Sequence, residues 1–230
     1  MIRILLVEDD PDIVSSIVSD LERCGDYWIT AVATAQQALQ IQAQFDLILL
    51  DIMLPDRNGI VLCGQLRKRY ACPILFISCL DDSTTIVEAL GSGGDDYVVK
   101  PFDNQVLHAR IQANLRRVRM ERQLTQESLR IRCGKAELDC RTETFSYRTY
   151  KAPLLPMECR LLRFLMENAG NYYKARELYQ EIWGQDSAGD VRTVIVHMHN
   201  LRGKIEKSGE TPQFIFNVRG KGYTFQPEGL

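Results

Sequence analysis

The sequence predicts two units of different class: an α/β unit on a doubly wound, five-stranded parallel sheet, then a smaller α+β unit. Three observations carry this. Across the first half, short apolar runs alternate five times with amphipathic stretches, the order that parallel strands joined by helices require. The alternation stops in a charged and polar stretch at residues 117–128. Beyond it come short strand candidates, then helices, then a final pair of strands. A chain of 230 residues is long enough for two hydrophobic cores, since one domain takes roughly 100–200 residues.

Taken in order, the apolar run 2–7 predicts the first strand and the amphipathic stretch 12–24 the first helix. The later pairs are 28–33 with 35–43, 47–50 with 59–70, 74–77 with 83–90, and 97–99 with 104–118. The run Leu47-Ile48-Leu49-Leu50 has no polar alternation, as expected of a strand covered on both faces. The first unit is therefore expected at 1–118, a linker at 119–128 and the second unit at 129–230.

In the second unit, strands are expected at 129–133, 137–139 and 144–147, followed by helices at 154–168 and 175–183, with Gly170 and Gly184 as terminators. In the stretch 190–205, Val191, Val194, Met198, Leu201 and Ile205 recur at helical spacing, which places them on one buried stripe. Arg192, Thr193, Val196, His197, His199, Asn200 and Lys204 are then expected on the opposite face, whose hydrogen-bonding groups and positive edges suit the major groove of DNA. The runs 214–218 and 223–225 read as a hairpin whose glycines allow a tight turn, with Arg219 and Lys221 projecting toward phosphates or the minor groove. For His197 and His199 taken singly, the simpler expectation is a solvated or locally bonded ring, and zinc is disfavoured because no matching Cys/His pair accompanies them.

Composition narrows the class. Hydrophobic residues make up 45% and charged residues 25%, as in ordinary globular proteins. No apolar run approaches the roughly 18 residues of a membrane-spanning helix, and the start lacks the pattern of a secretory signal, so a cytoplasmic protein without a membrane role is expected. The net charge of −2 is uneven: residues 1–127 hold 12 Lys+Arg against 18 Asp+Glu, and residues 128–230 hold 16 against 12. An acidic module is thus coupled to one able to meet a polyanion. The seven cysteines include no Cys-x-x-Cys pair, which argues against a metal or disulfide framework and for reduced, structural thiols.

The chemistry concentrates at strand ends. Glu8, Asp9 and Asp10 follow the first strand, Asp51 ends the third and Lys100 ends the fifth, so all fall on the carboxyl edge of one sheet, where open α/β folds bind ligands. Facing carboxylates repel, an arrangement that makes sense with a hard divalent cation between them. Magnesium is the natural occupant, with Asp51 attacking phosphorus to give an acyl phosphate.

These motifs resemble the response-regulator receiver family across residues 1–118: Leu-Val-Glu-Asp-Asp (6–10), Leu-Leu-Asp-Ile-Met-Leu-Pro-Asp-Arg-Asn-Gly (49–59), Phe-Ile-Ser (76–78) and Asp-Asp-Tyr-Val-Val-Lys-Pro-Phe (95–102). The resemblance implies a flavodoxin-like fold with strand order 2-1-3-4-5 and Asp51 as phosphoacceptor. It implies Mg2+ on Glu8, Asp9, Asp51 and the carbonyl of Met53, and Ser78, Tyr97 and Lys100 as the switch group, with a cis Lys100–Pro101 bond. Residues 129–227 resemble the OmpR/PhoB effector domain through Leu-Leu-Arg-Phe-Leu-Met-Glu-Asn-Ala-Gly (161–170), Glu-Ile-Trp-Gly (181–184), Val-Arg-Thr-Val-Ile-Val-His (191–197) and Asn-Val-Arg-Gly-Lys-Gly-Tyr (217–223). This implies an N-terminal antiparallel sheet, three helices and a wing, that is, a winged-helix domain on direct-repeat DNA.

The family departs from this chain at Asn200 and Thr224, where basic residues are common; Asn200 is suited to an A·T pair. In the family, phosphorylated receivers pair through the fourth helix, fifth strand and fifth helix. Asp96 and Arg110 match one cross-subunit ion pair, whereas Ile86 and Val106 stand where a basic and an acidic residue commonly pair. The implied partners are a sensor histidine kinase, double-stranded promoter DNA, a second copy of the chain and, further along, RNA polymerase. Two rival readings are an aspartate-dependent phosphatase or phosphotransferase, for which no motif supplies a second acid, and a constitutive architectural DNA binder. Retention of Glu8, Asp9, Asp51, Ser78 and Lys100 argues against the second. The expected role is a regulator of transcription and not an enzyme.

Overall fold

A computed structural model describes residues 1–122, 129–184, 190–206 and 214–227. The chain forms two compact units, Met1–Val118 and Arg119–Leu230.

In the first unit, β1 (Ile2–Val7), β2 (Tyr27–Val32), β3 (Leu47–Leu50), β4 (Ile74–Ser78) and β5 (Asp96–Val99) form a parallel sheet in the order β2-β1-β3-β4-β5. This is the doubly wound topology that the alternating pattern and the motifs predict. The helices are α1 (Pro11–Cys24), α2 (Ala35–Gln40), α3 (Gly59–Arg67), α4 (Ser83–Gly91) and α5 (Asn104–Arg122). One sheet face, with Ile4, Leu6, Leu47, Leu49, Leu75 and Ile77, packs with Ile17 and Leu21 of α1 and Leu107, Ile111 and Leu115 of α5. Alternate residues Leu5, Ile48, Leu50, Ile74 and Phe76 are also buried, which is why these strands read as unbroken apolar runs.

Two helices differ from expectation. Helix α2 stops at Gln40 and not at residue 43, with Ile41 extended; Arg69 donates to the carbonyls of Leu39 and Ile41, satisfying groups that a longer helix would have used. Helix α5 continues to Arg122, so residues 119–122 of the expected linker are helical. The remainder, 123–128, lies outside the described residues.

In the second unit, β6 (Arg130–Cys133), β7 (Ala136–Asp139), β8 (Thr144–Tyr147) and β9 (Tyr150–Pro153) form an antiparallel sheet in chain order. Strand β9 has no counterpart in the sequence reading. Its turn, at Arg148 and Thr149, contains no glycine, Arg148 itself taking φ +53°. Pro153 is tolerated because β9 is an edge strand. Helices α6 (Pro156–Glu167), α7 (Ala175–Trp183) and α8 (Val191–Ile205) follow, then the hairpin β10 (Ile215–Val218) and β11 (Gly222–Phe225). Leu161, Leu165, Trp183, Val194, Met198 and Phe225 share its core. Gly222, at φ +107°, is required by a close approach, since a Cβ there would lie 2.2 Å from the Tyr173 carbonyl oxygen that its neighbour Tyr223 bonds.

Candidate functional site

The acidic pocket is assembled by strand ends. Asp51 follows β3, its N–H donating to the Val7 carbonyl at 2.9 Å, which fixes the chain beside β1. Gly59 lets the following loop return: a Cβ there would fall 1.9 Å from the Asp51 carbonyl oxygen. No sequence argument singled out Gly59, although the Asn58-Gly59 pair signals a turn. Of the three acids after β1, Asp10 caps α1, accepting from the N–H groups of Asp12 and Ile13, which leaves Glu8 and Asp9 for the pocket.

Lys100, after β5, donates from Nζ to Glu8 Oε2 and to Asp51 Oδ2, each at 2.7 Å. The other Asp51 oxygen, Oδ1, accepts the Met53 N–H at 3.1 Å. Burial disfavours the Lys100 charge, but its hydrogen bonds to Asp51 and Glu8 outweigh this and hold the ammonium above the usual lysine range. Burial moves Glu8 the other way for a carboxyl, up, against its bond from Lys100. One oxygen from each of Glu8, Asp9 and Asp51 lies within 4.8 Å of the others. Three hard oxygen donors at that spacing fit a divalent cation of the magnesium class.

Ser78 ends β4 and is fully buried. Tyr97 is also buried; its hydroxyl donates to the Leu80 carbonyl at 2.5 Å, and burial pushes its pKa up to about 12. Ser78 and Tyr97 thus both hold Leu80, Ser78 Oγ accepting the Leu80 N–H at 3.4 Å. The Lys100–Pro101 bond is cis.

The outward face of α8 is narrower than periodicity suggests. Thr193, Val196 and His197 are buried, which corrects their assignment to the outer face. A second neighbour explains it: Trp183 of α7, stacked on Tyr179, lies with its ring centroid 6.0 Å from that of His197. Packing on both sides widens the buried arc beyond one stripe. Lys204 is drawn back as well, its ammonium 2.7 Å from buried Glu158. Asn200 is half-buried, with its Nδ2 shielded from solvent. The exposed line is Arg192, Ile195 and His199, with half-exposed Arg202. Ile195, 49% exposed, was missed because only polar residues were sought there; its offset from the buried stripe is the signal that could have found it. Arg219 and Lys221 are exposed at the hairpin turn, Lys221 lying over the Tyr172 ring, whereas Thr224 is fully buried and offers nothing to phosphates.

On the first unit, Ile86 is 2% and Asp96 0% exposed. Arg110 donates to Asp96 at 3.0 Å and to the Tyr97 carbonyl within the same chain. Ile86 and the Asp96–Arg110 pair therefore belong to the interior, not to a free surface; Val106 is half-exposed. Ile86 replaces an expected charge by core packing, because an apolar side chain on α4 gains by turning inward.

A family model described as the response regulator receiver domain matches residues 4–112, and one described as the C-terminal part of transcriptional regulatory proteins matches residues 150–225. Among curated proteins, the DNA-binding response regulator MtrA of Mycolicibacterium smegmatis is 37% identical, covering 98% of this chain and 97% of its own. The phosphate regulon transcriptional regulatory protein PhoB of Rhizobium meliloti is 36% identical, covering 97% of this chain and 98% of its own. Among solved structures, response regulator DrrB, described as a Thermotoga maritima OmpR/PhoB homolog, is 26% identical with a TM-score of 0.51, covering 98% of this chain and 99% of that one.

Proposed function

The chain belongs to the response-regulator family with an OmpR/PhoB-type effector domain, and from that membership we propose that Asp51 accepts a phosphoryl group and thereby controls how the second unit binds promoter DNA. The observation that carries the assignment is the convergence of Glu8, Asp9, Asp51 and Lys100 on one sheet edge. Family members are regulators of transcription and not conventional enzymes, and the pocket here is read as a switch that acts on itself.

The phosphoryl donor is a phosphohistidine of a sensor kinase. An Asp51 carboxylate oxygen attacks phosphorus in line, the kinase's N–P bond breaks, and the departing imidazole keeps the electron pair and takes a proton. Glu8, Asp9 and Asp51, with the Met53 carbonyl, would hold Mg2+, which supplies charge neutralisation on the phosphoryl oxygens. Lys100 releases Asp51 Oδ2 and pairs with the new phosphoryl. The Ser78 hydroxyl exchanges its bond with the Leu80 N–H for one to a phosphoryl oxygen, which loosens the Leu80 segment that Tyr97 also holds.

On DNA, α8 enters the major groove with Arg192, Ile195 and His199 outward, while Arg219 and Lys221 meet phosphates or the minor groove. Thr193, Val196, His197 and Lys204 hold the helix instead of reading it, and Asn200 would need its amide turned outward to meet adenine. Two phosphorylated copies side by side raise the effective concentration of one DNA-binding unit for a neighbouring half-site. RNA polymerase and a cytoplasmic setting follow from the same role.

The test is to treat the protein and Asp51→Asn with acetyl phosphate and magnesium and to compare intact masses and direct-repeat DNA binding. Labelling of the wild type alone, with tighter DNA binding, is expected. Equal labelling of the variant would overturn the assignment.

A further inference from the structure

The second unit contains two cysteines for which DNA binding has no use. Cys140 follows β7 in the turn toward β8, and Cys159 lies on α6. Each thiol is the first cause of the other's shifted acidity. Both line a cavity of about 80 Å³ with Leu129, Glu143, Arg160 and Arg163. The turn is held by the Cys140 N–H, which donates to the Leu129 carbonyl at 2.8 Å. Cys159 is buried, and Cys140 is half-buried. Side chains that face one cavity this small need only a short approach to reach the roughly 2.05 Å of a disulfide.

The two thiols also differ in the way that such a bond requires. The neighbouring Cys159 thiol, helped by the Arg163 charge, holds Cys140 below the ordinary thiol range despite its burial. Cys159, facing Cys140 and more deeply enclosed, is pushed up. In the first unit, burial pushes Cys63 to about 11 and Cys72 to about 12, which makes them poor nucleophiles.

We propose that Cys140 and Cys159 are a redox-sensitive modification site that closes to a reversible disulfide under a two-electron oxidant of the hydroperoxide class. The Cys140 thiolate sulfur attacks one peroxide oxygen and the O–O bond breaks. The leaving hydroxide combines with the proton that Cys140 gave up, leaving a sulfenic acid and water. The Cys159 sulfur then attacks the Cys140 sulfur, the S–O bond breaks, and the departing hydroxide takes the Cys159 proton. Two thiols and one peroxide become one disulfide and two waters: the sulfurs are oxidised and the peroxide oxygens reduced. A dithiol reductant reverses the bond by exchange. The bridge ties the β7–β8 turn to α6 and encloses β8 and β9, independently of the chemistry at Asp51.

The test uses the full-length protein with hydrogen peroxide, followed by unfolding in N-ethylmaleimide and non-reducing peptide mass mapping. A Cys140–Cys159 crosslinked peptide is expected, two hydrogens lighter than its reduced parts and released by dithiothreitol. Cys159→Ser should stop at a sulfenic acid on Cys140, trapped by dimedone, and Cys140→Ser should leave Cys159 open to alkylation. Full alkylation of both residues in the wild type, at a peroxide dose that oxidises exposed Cys24 and Cys79, would overturn the proposal, as would a crosslink joining other cysteines.

Discussion

Lys100 Nζ stands 2.7 Å from Asp51 Oδ2 and equally far from Glu8 Oε2, so one ammonium bridges two carboxylates of the pocket and offsets one of their two charges. Any cation bound by Glu8, Asp9 and Asp51 meets a site whose negative charge is already partly compensated. In Lys100→Met, the metal-free protein should lose about 3 kcal/mol, the lower end for breaking a buried pair, because Glu8 can relieve the repulsion by keeping its proton. Magnesium should then stabilise the variant more than the wild type. Calorimetric melting over a magnesium series checks this, and identical magnesium dependence of the two proteins would contradict it.

On α8, Ile195 and His197 should behave oppositely. Ile195 is half-exposed in line with Arg192 and His199, so its methyl groups can meet a thymine methyl. Ile195→Ala should leave the melting temperature unchanged and relax preference at one base pair, at about 1–3 kcal/mol. His197→Ala removes a fully buried ring from beside Trp183 and should lower the stability of the second unit by about 2 kcal/mol or more. Melting curves and a binding series over substituted operators separate the two, and unaltered base preference in Ile195→Ala would remove that residue from the reading set.

Interior placement of Ile86 carries a similar contrast. Ile86→Lys should destabilise the first unit by at least about 2 kcal/mol, phosphorylated or not, since the new charge must either leave the core or be buried. Val106→Glu, at a half-exposed position, should fold normally and instead shift the monomer–dimer balance of the phosphorylated chain. Sedimentation of both variants over a salt series tests this. A dimer indifferent to Val106→Glu would place the contact elsewhere.

Asp56 predicts an acid-sensitive helix start. Its two carboxylate oxygens accept the N–H groups of Ala35 and Gln36, each at 2.9 Å, and these bonds hold its carboxyl below the ordinary aspartate range. A folded value below the unfolded one stabilises above the unfolded pKa and fades as pH falls through the folded one. Exchange protection of the Ala35 and Gln36 amides should therefore be flat at neutral pH and fall below about pH 4. Asp56→Asn, which retains an acceptor but no charge, should flatten that fall, and an unchanged profile would assign it to another group.

Much of this was legible before any coordinates. The strand-end positions of Asp51, Ser78 and Lys100 and the parallel sheet follow from local signals, apolar runs too continuous for a one-sided sheet, whereas the strand order came from the resemblance to the receiver family. Helix limits were less legible, because Arg69 ends α2 from thirty residues away in sequence. Strand β9 was hidden because its turn uses Arg148 where glycine or asparagine would have signalled it. Periodicity reports one buried face per element. It could not show that Trp183 stands beside His197 on a second side of α8, that Thr193 and Val196 are buried, or that Ile86 turns into the core. The meeting of Cys140 with Cys159 has no sequence signature, for it depends on how α6 packs against the sheet. The sequence by itself determined the fold class and the residues of the acidic pocket, because each strand and each motif at its end is encoded in the local pattern of its own segment. Which side chains of α8 stay in solvent, and which thiols share a cavity, was decided only by tertiary packing, where several elements compete for the same surface.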